Sequence, residues 1–177
     1  MALEMTSQYC PSCAKKVVPA SGIHSADILL VGEFPGKTEM DRGIPFAVHS
    51  MYSTAGKVLR TEMAEAGIEY NRCRVMNLWL HEPSKDKNCF QVGYENVLME
   101  AKGRKAILLI GSLVVETFTE YKVSHVSGLQ VDSAVLSCPI IYAMVNPAIC
   151  FQPNQGIGEV RLSIRKFAQR LEKEGLL

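Results

Sequence analysis

Short, continuous apolar runs rich in Ile, Leu and Val recur along this chain, separated by segments whose apolar residues return every three or four positions. The runs read as strands buried on both faces, and the periodic segments as helices with one face toward a core. Asp27–Val31 comes first, its Ile28-Leu29-Leu30-Val31 ending abruptly at Gly32; Arg74–Leu78, Ala106–Ile110 and Ile140–Val145 follow. Between them, Ser53 or Thr54 can cap a helix that runs to about Ala66 and is stopped by Gly67. Further helices are predicted over Phe90–Lys102, after Gly111-Ser112, and over Glu159–Glu174, the last with marked amphipathic character. Glu33–Ser53 reads as a loop with several turn residues, and Lys122–Leu136 fits short strands.

Strand and helix therefore alternate. Parallel strands need a crossover, normally a helix, so the pattern predicts an α/β fold: a three-layer α/β/α sandwich around a central, mostly parallel sheet. In such sheets the ligand crevice lies beyond the carboxyl ends of the strands. That rule places Gly32–Gly36, Asn77, Gly111 and Asn146-Pro147 along one rim, since each ends or follows an apolar strand.

Composition narrows the choices further. At 177 residues, a single domain spanning 1–177 is expected, and 47% hydrophobic content suffices for a real core. The longest apolar runs fall far short of the ~20 residues that cross a bilayer, and the Met-Ala-Leu-Glu start lacks a basic-then-apolar leader. An intracellular, monomeric protein with no membrane partner is the expectation. A net charge of only +1 excludes bulk electrostatic coating of nucleic acid, so DNA binding would need a local patch. The six cysteines (Cys10, Cys13, Cys73, Cys89, Cys138 and Cys150) are better explained by metal ligation of some than by disulfides.

Gly32-Glu33-Phe34-Pro35-Gly36-Lys37-Thr38-Glu39, continuing through Gly43, Pro45 and Phe46, resembles the first motif of family 4 uracil-DNA glycosylases, G-E-x-P-G-x-x-E-D followed by G-x-P-F. Ala55-Gly56 with Leu59, Asn77, Ile110-Gly111 and Asn146-Pro147-Ala148 continue the likeness in order, and it extends from Cys10 to Gln152. The resemblance implies a uracil-DNA glycosylase-like fold and an enzyme that flips a uracil or other deaminated or modified base out of DNA and hydrolyses its N-glycosidic bond. Glu33 and Asn146 are then the implied catalytic residues. Gly32, Phe34, Pro35, Gly36, Phe46, Asn77, Pro147 and Ala148 would line the substrate, with Phe46 stacking on the base and Asn77 reading its polar edge. Family 4 members carry a 4Fe-4S cluster; its ligands here would be Cys10, Cys13, His81 and Cys89, with Cys73 a substitute for one of them. Three cysteines and a histidine are equally a structural zinc set, so both metals stay open.

The chain departs from the family at three points. Asn146 stands where the family has histidine, Phe34 replaces a small residue, and Ala47–Thr54 lengthens the family's short link. Asn146 and Phe34 sustain one alternative, a catalytically inactive relative that binds DNA or a repair or replication partner, and the longer link is a natural place for altered substrate choice; a third reading is an iron-binding or redox-sensing module. Asn146-Pro147 also has the form of a helix cap followed by proline at the first helical position. Ile149 or Phe151 is an apolar wedge candidate, and Gln152 stands where the family often has arginine. Arg161, Arg165, Lys166, Arg170 and Lys173 suggest a basic face on the last helix. His24, His49 and His125 read as surface or structural residues, His49 within the lengthened link.

Overall fold

The structure, a computed structural model, describes residues 8–152 and 156–177. Its strands are β1 (Ser21–Gly22), β2 (Ile28–Gly32), β3 (Arg74–Asn77), β4 (Ala106–Ile110), β5 (Leu129–Gln130) and β6 (Ile140–Met144). Among the described residues they form one six-stranded sheet in the order β1-β3-β2-β4-β6-β5. The central four strands are parallel, and the two-residue strands β1 and β5 cover the edges in the antiparallel sense. The mostly parallel sheet expected from the apolar runs is thus present. Leu29, Leu30, Val31 and the run from Ile107 to Ile110 are fully buried, as strands covered on both faces must be.

The helices are α1 (Lys37–Arg42), α2 (Ala55–Glu65), α3 (Lys87–Ala101), α4 (Ser112–Phe118), α5 (Val123–Val126) and α6 (Ile157–Lys173). The crossover from β2 to β3 steps one way along the sheet, and that from β3 to β4 steps back past β2. With right-handed crossovers, α2 and α3 lie on opposite faces. Contacts agree with this. Tyr94 of α3 stacks on Phe118 of α4 with centroids 5.3 Å apart, while α2 meets α6 through a two-pronged ion pair from Arg161 to the buried Glu62, 2.8 Å and 3.0 Å. Val160, Ile164, Phe167, Ala168 and Leu171 form the buried stripe of α6.

Thr54 is the cap of α2: its hydroxyl accepts from the Lys57 N–H at 3.1 Å and donates to the Ala47 carbonyl at 3.0 Å. The main difference from expectation is α1, which lies inside the stretch read as loop. Its six residues, Lys-Thr-Glu-Met-Asp-Arg, bury none of themselves, so there is no apolar period to read. What fixes it is local: the Glu39 carboxylate reaches back to the Gly36 N–H at 2.8 Å, and Gly43 ends the helix. Lys122–Leu136, expected to hold short strands, contains the one-turn helix α5 and β5. No helix among the described residues is long and apolar enough to cross a membrane.

Candidate functional site

Because β2, β3, β4 and β6 run parallel, their carboxyl ends gather on one rim. Gly32 pairs with Asn77 across β2 and β3, and Ile110 with Met144 across β4 and β6. Glu33 follows β2 directly and Asn146 follows β6. Their side chains meet: Asn146 Nδ2 donates to Glu33 Oε2 at 2.8 Å, while Glu33 Oε1 accepts from the Leu113 N–H at 2.9 Å, at the start of α4. The carboxylate fits there because Gly111, with φ 103°, has no Cβ; one would stand 2.3 Å from the Glu33 carboxyl carbon. Asn146 Oδ1 accepts from the Ala148 N–H at 2.9 Å, capping the 3-10 turn Pro147–Phe151. The cap reading of Asn146 holds, and the same side chain bonds Glu33.

Glu33 and Asn146 lie on the wall of an open cavity of about 820 Å³, lined also by Ser112, Ser124, Ala148 and Gln152. That volume is in the range of small-molecule sites, roughly 300–1,000 Å³. Phe34 is exposed beside it in sequence, and Pro35 is buried.

A second cluster adjoins through Gly32. The Phe46 ring and the Asn77 amide press against it closely enough that a Cβ would lie 2.3 Å from Asn77 Oδ1 and 2.7 Å from the ring. Asn77 and Phe46 are buried, and both are held by Glu39: its Oε1 accepts from Asn77 Nδ2 at 3.0 Å and from the Phe46 N–H at 2.7 Å. Arg60 Nε donates to the Phe46 carbonyl at 3.3 Å. These bonds clamp Phe46 in the left-handed region, φ 49°, a conformation that costs on the order of 1–3 kcal/mol in a bulky residue and tends to occur at functional sites. Glu39 was legible as a motif residue; its position at the centre of this network was not, because its partners lie up to 38 residues away.

At the amino end, Cys10, Cys13, His81 and Cys89 converge, with every pair of ligand atoms within 4.8 Å. Cys10 and Cys13 sit on a tight hairpin in which the Cys10 N–H donates to the Lys15 carbonyl at 2.7 Å and Ala14 is left-handed, φ 55°. Cys10 Sγ lies 3.8 Å from Cys89 Sγ, and Cys13 Sγ lies 3.3 Å from His81 Nε2. A carbonyl can only accept, so His81 Nδ1 donates to the Glu82 carbonyl at 2.7 Å, which leaves Nε2 turned toward the cysteines. Burial raises the Cys10 thiol, but backbone N–H groups of Ser12 and Cys13, with His81 and the Cys13 side chain, outweigh it and bring the thiol down to about 7. These four residues could hold a metal.

The remaining candidates separate clearly. Cys73 lies apart from the cluster: it is buried, donates to the Glu69 carbonyl at 3.6 Å, and burial pushes its thiol up to about 12. Cys138 and Cys150 are half-buried free thiols. Phe151 is exposed, whereas Ile149 packs against the core, so of the two wedge candidates only Phe151 projects. Arg161 and Arg170 of the basic face are engaged, with Glu62 and Glu174. His49 stacks on Tyr52 at 3.8 Å and accepts from the Met51 N–H.

A mostly parallel α/β sheet with a carboxylate and an amide paired at its carboxyl rim, beside an open cavity, is the arrangement in which α/β folds bind ligands at the strand ends. The family model for the uracil DNA glycosylase superfamily matches residues 19–162, and the chain belongs to that superfamily. No curated protein matches it.

Proposed function

We propose that this protein is a DNA glycosylase that extrudes a uracil or another deaminated or modified base and hydrolyses its N-glycosidic bond. The observation that carries the reading is the Glu33–Asn146 pair, bonded at 2.8 Å on the cavity wall. A base inside a duplex cannot be reached, so the nucleotide must leave the stack. Its departure puts positive charge on the sugar and negative charge on the base. Glu33, fixed by two donors, answers the sugar or orients the attacking water; Asn146 has a second N–H to offer the base oxygen as charge develops there. Asn77 and Phe46 would read and stack on the base. Both are buried, so this reading includes a local opening of the loop that carries Phe46. A metal at Cys10, Cys13, His81 and Cys89 would lock the amino end onto the segment after β3 and take no part in hydrolysis.

The test is incubation with oligonucleotides carrying uracil, hypoxanthine, xanthine or 5-substituted pyrimidines, followed by alkaline cleavage. Strand scission on at least one of them, slowed in Glu33→Gln, is expected. A chain that binds these DNAs yet releases no base, either as wild type or as Asn146→His, overturns the reading in favour of an inactive DNA-binding relative.

A further inference from the structure

We infer that Cys10, Cys13, His81 and Cys89 hold a single tetrahedral zinc ion and not an iron–sulfur cubane. Ligand spacing separates the two metals. One ion with Zn–S bonds of about 2.3 Å and a Zn–N bond of about 2.0 Å at tetrahedral angles sets its sulfurs roughly 3.8 Å apart and sulfur and nitrogen roughly 3.5 Å apart. The structure has 3.8 Å between Cys10 and Cys89 and 3.3 Å between Cys13 and His81, with no pair beyond 4.8 Å. A cubane carries each ligand on a different iron. Its ligand atoms are therefore separated by an iron–iron edge plus the outward projection of two bonds, and inorganic sulfides must fit between them. Ligand atoms all within 4.8 Å of one another, with two of the sulfurs 3.8 Å apart, leave no such space.

The chemistry of the donors agrees. Three thiolates and one imidazole form a common structural zinc set, and a C-x-x-C on a tight hairpin is its usual first half. The Nδ1–H of His81 is held by a backbone carbonyl, which fixes the tautomer and aims Nε2 at the centre. Asp86 supports the far side: it accepts from the Ser12 hydroxyl at 2.8 Å and from the Asn88 N–H at 2.9 Å, tying the hairpin to the start of α3. With all four positions filled by protein, no site remains for a reactive water, and the ion's role is structural.

The experiment is metal analysis of full-length protein purified without air from cells supplied with both iron and zinc, followed by cobalt substitution. About one zinc per chain, a colourless protein, and the intense visible bands of tetrahedral, thiolate-rich cobalt are expected. His81→Cys should keep the ion but shift the cobalt bands to an all-thiolate pattern, and His81→Ala, with one ligand gone, should lose zinc to a chelator faster than wild type. Brown protein with iron and acid-labile sulfide in equal amounts overturns the inference. So does a folded chain that takes up neither zinc nor cobalt, or a His81→Cys spectrum identical to wild type. Metal content is read without reference to base release, so this inference and the glycosylase reading stand or fall separately.

Discussion

The amide of Asn146 is held at both ends, Oδ1 by the Ala148 backbone and one N–H by Glu33, which leaves its second N–H as a preorganised donor. A donor of this kind aimed at developing charge is worth about 3–4 kcal/mol. Asn146→Ala is therefore expected to slow base release by roughly two to three decades with DNA affinity little changed, measured under single-turnover conditions. Asn146→His should preserve or raise activity on uracil, since it restores the family's donor. Glu39 makes a separate demand. Because it holds both Asn77 and the Phe46 backbone, Glu39→Ala should erode discrimination among bases more than overall DNA affinity, as Asn77→Ala should. Competition between damaged and undamaged oligonucleotides checks this; equal loss on both would contradict it. Asn77 and Asn146 were legible because each ends or follows an apolar run, and the parallel-sheet rule brings such positions together. The 2.8 Å bond itself was not, because it joins residues 113 positions apart.

At the scale of elements, sequence and structure agree where burial dictates the pattern. β4 coincides with the apolar run Ala106–Ile110, and Thr54 caps α2 as its residue type suggests. They part where an element has no buried face of its own. α1 is held by the Glu39 side chain, and β1 and β5 exist only because longer strands offer them an edge. Losing the Thr54 hydroxyl removes a helix cap and a tie to Ala47 within the lengthened link, so Thr54→Ala should cost about 1–2 kcal/mol. Denaturant unfolding reads this directly, with Thr54→Ser expected to recover most of the loss.

Across the whole molecule, two ties set the response to conditions. Burial alone would raise Glu100, but hydrogen bonds and charge from Arg74 and Arg104 outweigh it and hold the carboxyl below its usual range. A depressed carboxyl stabilises the fold above its unfolded value, about 4.3, and that contribution is lost as pH falls through the folded value. The stability gap between wild type and Glu100→Gln should therefore narrow from pH 7 to pH 3, read as urea midpoints. The second tie runs along one uninterrupted stretch of chain. Asn77 ends β3, the Leu78 N–H bonds the Gly32 carbonyl at 2.8 Å, the Trp79 N–H bonds the Glu33 carbonyl at 2.9 Å, the Leu80 carbonyl takes the Val18 N–H at 2.7 Å, and His81 joins the cysteines. Trp79, the sole tryptophan, lies 6.3 Å from the His81 ring, so stripping the metal should shift its fluorescence to the red. On the readings proposed here, a compound that extracts the ion would act on the substrate rim without ever competing for it. Loss of the metal would then loosen Asn77 and the Glu33 backbone together, so base selection and base release would weaken in step.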